Sequence, residues 1–110
     1  MEKLVAGGKQ YLATIFTNKE VDYCENKTRR SEHYAARFAA KEAVLKALGT
    51  GWRDGLAFSE IEILNDELGK PQVFLHGKVK EFFNRQQIGQ VSISLSHTSE
   101  IAIAFAILEK

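Results

Sequence analysis

The chain has 110 residues, of which 45% are apolar and 26% charged, and its formal net charge is +1. That length suits one domain over 1–110 with a core of its own, and the near-neutral balance gives no global case for nucleic acid or a membrane surface as partner. A single cysteine, Cys24, excludes an internal disulfide and points to a reducing, cytoplasmic setting. No apolar run approaches the ~20 residues of a spanning helix, and Met1-Glu2-Lys3 leads into a mixed stretch with Gly7-Gly8, unlike a secretory leader.

Residues 2–16 predict a helix with Leu4, Val5, Tyr11, Leu12 and Ile15 roughly on one face, which Gly7-Gly8 weakens. Thr17-Asn18-Lys19-Glu20 fits a capping box, with Phe16 and Val21 placed for the hydrophobic staple. A short helix therefore runs from about 18 to 25, carrying Cys24 beside Tyr23 as a packed thiol. Ser31 is the expected N-cap of a third helix over 32–48, with Glu32 favourable in its first turn. Tyr34, Phe38, Leu45 and Leu48 keep helical spacing, and Gly49 suits the C′ position.

After the loop 49–55 the period changes. "FSEIEIL" alternates Ile61 and Ile63 with Glu60 and Glu62, a strand with one wet face. "NDELGKP" turns the chain into a second strand, "QVFLH", with the sole proline, Pro71, at its entrance. "GKVKEFFNRQQIG" is a short helix burying Val79, Phe82 and Phe83. "QVSISLSH" and "IAIAFAILE" both alternate strictly and form an antiparallel hairpin, whose alanine face predicts close packing against a helix or another chain. Helices first and a small, mostly antiparallel sheet afterwards make the class α+β.

"RFAAKEAVLKALGTG" (37–51) sets Glu42 and Lys46 one turn apart, with Lys41 beside them, in the most apolar helical stretch; the three charged groups either form a solvated stripe or hold something charged. The pair reads either as a surface ion pair worth a few tenths of a kcal/mol or as a hard-cation ligand beside a phosphate-binding or proton-accepting lysine. A basic run of Lys27, Arg29 and Arg30 precedes Arg37. His97 ends a strand; it is either merely structural or, if it lines a cleft, a phosphate contact or proton-transfer group. Ser96 and His97 are adjacent in a strand and point to opposite faces, which removes a nucleophile–base pair. No Cys/His cluster offers a zinc site, and "GTGWRDG" lacks the Gly-Lys-Ser/Thr ending of a phosphate loop. "DELGKP" is by default a turn built on Gly69.

Together, "RFAAKEAVLKALGTG" (37–51), "FSEIEILNDELGKPQV" (58–73) and "VSISLSHTSEIAIAFAILE" (91–109), with "IFTNKEVDYC" (15–24), closely resemble holo-acyl-carrier-protein synthase, the small type of 4′-phosphopantetheinyl transferase. The similarity covers nearly the whole chain. It implies that fold, assembled as a homotrimer with each site at a subunit boundary. It also implies transfer of 4′-phosphopantetheine from coenzyme A to a serine of apo acyl carrier protein, with Mg²⁺ as cofactor and 3′,5′-ADP released. On the same grounds Glu42 is the metal ligand, Lys46 a charge stabiliser or base near the transferred phosphate, and His97 a contact to the coenzyme's phosphates. Arg37 and the turn at Gly69, Lys70 and Pro71 hold the nucleotide end, with Arg29 and Arg30 near its ribose phosphate. A metal-bound water competes with Lys46 as the base.

One feature of the family has no counterpart: an opening strand with a Gly-aliphatic-Asp motif whose Asp is the second carboxylate on Mg²⁺. Met1 falls inside the expected first helix, and Asp22, Asp54 and Asp66 stand in other contexts. For the chain as given, weakened metal binding, reduced or absent activity and an unpaired sheet edge are expected. Three readings stay open: part of a longer enzyme, a shortened paralogue that binds coenzyme A or carrier protein without turnover, or an enzyme whose Mg²⁺ is held by Glu42, phosphates and water.

Overall fold

The computed structural model describes residues 12–49, 57–98 and 101–109. Most of the helix expected over 2–16 lies outside them; Phe16 closes a turn by donating its N–H to the Leu12 carbonyl at 2.8 Å. Helix α1, Asn18–Glu25, starts on the expected capping box. Glu20 N–H donates to Thr17 Oγ1 at 3.3 Å and Thr17 N–H to Glu20 Oε1 at 2.9 Å, so two otherwise orphaned donors are satisfied. Phe16 and Val21 close on one apolar cluster with Leu12, Cys24 and Tyr34. Cys24 is fully buried, and burial pushes its thiol up to about 11, so it is a packed, inert group.

Helix α2, Arg30–Ala47, begins earlier than Ser31 suggests. Its N-cap is Arg29, which makes no side-chain cap. The Arg29 carbonyl instead takes the N–H of Glu32 at 3.1 Å, which draws Ser31 into the first turn. The other end is as expected: Leu48 caps the helix, and Gly49 follows at φ +79°.

Phe58–Glu60 is a 3₁₀ turn rather than the start of a strand. Strand β1, Ile61–Asn65, pairs antiparallel with β2, Pro71–Leu75, with Ile63 opposite Val73. Helix α3 follows at Gly77–Arg85. Glu60 leaves the strand pattern because its carboxylate caps α3, accepting the N–H of Lys78 at 3.2 Å and of Val79 at 3.3 Å. Gly77 sits there at φ +56°, a backbone conformation that L side chains rarely adopt, and its missing Cβ leaves room for the Glu60 carboxylate. Nor is Glu62 on a wet face. It is 7% exposed, accepts the Thr17 hydroxyl at 2.5 Å and faces His76 Nε2 at 3.2 Å.

Strands β3, Gln90–His97, and β4, Ala102–Glu109, form a separate antiparallel hairpin, with Ser94 opposite Phe105. Helix α2 packs across it. Val91, Ile93 and Leu95 turn inward with Ala104, Ala106 and Leu108, joining a core of Val44, Leu45, Ile61, Ile63, Val79 and Phe83. The small alanines let the helix come close, as expected. The bulky residues of β4 go outward: Ile103 is 52%, Phe105 68% and Ile107 60% exposed.

Lys41 departs most from its sequence setting. It is neither in a solvated stripe nor at a ligand site but fully buried, 2.6 Å from the equally buried Glu20. Its ammonium also donates to the carbonyls of Ile15 at 2.7 Å and Phe58 at 3.0 Å. Glu20 Oε2 accepts the Ile63 N–H at 2.8 Å. The capping residue of α1 thus ties α1, α2 and β1 together, with every charge-bearing atom bonded, the condition under which a buried pair is tolerated.

Candidate active site

A cavity of about 270 Å³ opens between α1, α2, the β1–β2 turn and β3, lined by Tyr23, His33, Arg37, Gly69, Pro71 and His97 among others. Arg37 enters from the buried face of α2 and is 2% exposed. Its Nε donates to the Ile63 carbonyl at 3.2 Å and a terminal nitrogen to Asn65 Oδ1 at 2.5 Å. Its guanidinium lies over the Tyr23 ring, 4.1 Å from the centroid. All three partners are neutral. Among the described residues no carboxylate pairs with this buried cation, an arrangement that disfavours the empty site and favours an anion in it.

The β1–β2 turn is held rigidly beside Arg37. Asp66 Oδ1 accepts the N–H of Leu68 at 2.9 Å and of Lys70 at 2.8 Å. Asn65 Nδ2 donates to the Gly69 carbonyl at 2.9 Å, so one amide side chain grips both Arg37 and the turn. Gly69, at φ +85°, supplies the left-handed residue the turn needs. Pro71 opens β2 where no N–H is required of it. His97 arrives at the end of β3 and donates from Nδ1 to Glu32 Oε1 at 3.3 Å, the only direction open to an ionised carboxylate. That bond leaves Nε2 as the ring's other polar atom.

The structure thus brings Arg37, Gly69, Pro71 and His97 to one cavity. Lys70 is exposed on the turn and does not line it. Arg29 reaches the rim only through Glu32, at 3.6 Å, and Arg30 is paired with Glu25 at 2.9 Å. Tyr23, His33 and Asn65 also line the cavity and were not singled out in the sequence.

A sequence profile described as the 4′-phosphopantetheinyl transferase superfamily matches residues 2–106. The chain belongs to this family. It is 44% identical over 110 residues to a holo-acyl-carrier-protein synthase of Geobacter sp. (strain M21), covering 99% of this chain and 88% of that one. A crystal structure of the holo-acyl-carrier-protein synthase from Neisseria meningitidis superposes with a TM-score of 0.85 at 33% identity, over 99% of this chain and 90% of that one. The Helicobacter pylori holo-acyl-carrier-protein synthase in complex with coenzyme A gives 0.80 at 28% identity, over 98% and 92%. The chain is therefore a holo-acyl-carrier-protein synthase, a phosphopantetheinyl transferase, with the α+β fold of its relatives.

In this synthase Glu42 and Lys46 stand apart from the cavity. At 100° per residue Glu42 is about 140° around α2 from Arg37, and Lys46 about 180°. Glu42 is half-buried and Lys46 exposed. No ion pair joins them among the described residues, so the surface-pair reading of their spacing finds no support. α2 carries one half of the sequence-derived site on its buried face and the other half on its outer face.

Proposed function

We propose that the chain transfers 4′-phosphopantetheine from coenzyme A to a serine of apo acyl carrier protein, releasing 3′,5′-ADP, in a Mg²⁺-dependent reaction. The observation that carries the substrate assignment is the buried guanidinium of Arg37, which faces a cavity and pairs with no carboxylate among the described residues, an arrangement suited to a phosphate-bearing ligand. The coenzyme A complex of the Helicobacter pylori relative supports the same substrate. Arg37 and His97 hold the nucleotide phosphates, and Gly69 and Pro71 shape the wall against which the nucleotide lies.

The residues also suit the metal. Among the described residues no three Asp, Glu, His or Cys groups converge, and Glu42 is a half-exposed carboxylate with no hydrogen-bonding partner of its own among them. One carboxylate with phosphate oxygens and water is an ordinary Mg²⁺ environment. Bound there, the ion would neutralise charge on the phosphate oxygens. Lys46, one turn from Glu42, adds a second positive charge where charge builds on the transferred phosphoryl group. The serine oxygen bonds to the β-phosphorus, the bond to the bridging oxygen of 3′,5′-ADP breaks, and the hydroxyl proton leaves to a base.

A site whose halves lie on opposite faces of one helix is completed by two copies of the chain. We infer a homotrimer with sites at its boundaries, supported by the outward apolar face of Ile103, Phe105 and Ile107, an unusual exposure for a monomer.

The test is the intact mass of an apo acyl carrier protein after incubation with this chain, coenzyme A and Mg²⁺. A chelator-sensitive gain of one phosphopantetheine, lost with Glu42→Ala, is expected. No gain from the chain, or a gain indifferent to both chelator and Glu42→Ala, would sink the reading.

A further inference from the structure

The cavity contains a second imidazole that the reaction above does not use. His33 stands one turn before Arg37 on α2, half-buried. Its ring is edge-on to His97, with centroids 5.0 Å apart, and to Tyr23 at 5.8 Å. The charges facing it are lopsided. From α1 come Tyr23 and Lys27, whose ammonium lies 4.5 Å from the Tyr23 centroid. From α2 come Arg37 and Glu32, and from β3 comes His97. Glu32 is the one carboxylate of this group and is already engaged, by His97 at 3.3 Å and Arg29 at 3.6 Å. Glu25 is turned to Arg30 and the Tyr34 hydroxyl. His97 therefore has an anionic partner, whereas His33 has cations and rings for neighbours and, among the described residues, no carboxylate of its own.

We propose that His33 is a proton-linked binding residue: a phosphate-bearing ligand entering the cavity draws a proton onto its ring, so that ligand capture and protonation reinforce each other. The ligand brings the negative charge that His33 lacks. In the free chain, burial first, then the charges of His97, Arg37 and Lys27, hold its pKa below the usual 6.5, and Glu32 only partly offsets them. The ring is then neutral at pH 7 in the free state and titrates higher in the complex. The sign follows from linkage: affinity falls as pH rises through the bound-state pKa and levels off below the free-state one. The proposal rests on the cavity being the nucleotide-phosphate site of the synthase.

Calorimetry of 3′,5′-ADP binding to the wild-type chain and to His33→Phe, in buffers of differing ionisation enthalpy between about pH 6 and 8, tests it. Wild type is expected to take up a fraction of a proton that His33→Phe loses. Imidazole carbon NMR of the wild type gives a second reading without any variant. The His33 midpoint should rise by about one pH unit or more on saturation, equivalent to a roughly tenfold linked gain in affinity. Equal proton uptake by both chains, a pH-independent loss of affinity in His33→Phe, or an unmoved His33 midpoint in the saturated complex would overturn the proposal while leaving the coenzyme reading intact. Failure of 3′,5′-ADP to bind the wild type at any pH would overturn both.

Discussion

Arg37 is the residue on which the site turns. Three neutral partners hold its guanidinium in place without cancelling its charge. On the proposed reading, a ligand phosphate meets a desolvated, pre-positioned cation, which is worth more than one on the surface. Arg37→Gln is expected to weaken 3′,5′-ADP binding at least about tenfold, or ~1.4 kcal/mol. Arg37→Lys should not rescue it, because an ammonium reproduces neither the fork to Ile63 and Asn65 nor the stacking on Tyr23. Calorimetric titration of the two variants checks both statements; binding restored by lysine would show that charge alone suffices. The sequence marked Arg37 through its motif. It could not mark Tyr23 and Asn65, because aromatic and amide residues at these positions carry no spacing signal until α1 and the β1–β2 turn are folded against α2.

At the level of elements, the buried Glu20–Lys41 pair decides how α2 is set against β1, and so where Arg37 points. Its two charges compensate each other only while both are present. Lys41→Met leaves Glu20 buried with backbone donors alone, and is expected to cost about 3–5 kcal/mol, a large part of the stability of a domain this size. Equilibrium urea unfolding would measure it; a loss under about 1 kcal/mol would mean the carboxylate finds other compensation. Glu62 joins the same seam. Burial raises its pKa, but the hydrogen bonds of Thr17 and His76 and the nearby charges of His76 and Lys19 outweigh burial, leaving it below the usual 4.5. Its contribution is then complete above pH 4.5 and fades as pH falls through the lowered folded-state value. Glu62→Gln should flatten the acid limb of stability against pH and leave its neutral-to-basic shape unchanged, as read from unfolding midpoints across pH. The elements themselves were legible where the signal is local: the Thr17–Glu20 box, Gly49, Pro71 and the strict alternation of 91–109. Glu60, Glu62 and Lys41 were misread as solvent-facing or ligand-facing for a common reason. A charged residue in an apolar pattern looks wet unless its partner is known, and each partner here is remote in sequence or belongs to another element.

At the scale of the whole molecule, α2 separates two sets of groups that the proposed reaction needs together. Arg37 faces the cavity with His97, whereas Glu42 and Lys46 lie on the far side of the helix, so on the proposed roles one copy does not close a complete site around a single coenzyme. The apolar strip of Ile103, Phe105 and Ile107 offers the means of association. If each site takes Arg37 from one protomer and Glu42 from its neighbour, two inactive variants should complement each other. Arg37→Gln and Glu42→Ala chains, assayed at a coenzyme A concentration low enough that each is inactive alone, are expected to regain about a quarter of wild-type transfer when unfolded together and refolded as a random one-to-one mixture, since about one boundary in four then has both intact halves. The carrier-protein mass assay reads this directly. A mixture as inactive as its parents, in assemblies shown by native mass spectrometry to contain both chains, would place Arg37 and Glu42 in the same protomer's site. Phe105→Asp should remove the gain by another route, leaving the chain folded but dissociated, with transfer lost in proportion to the trimer.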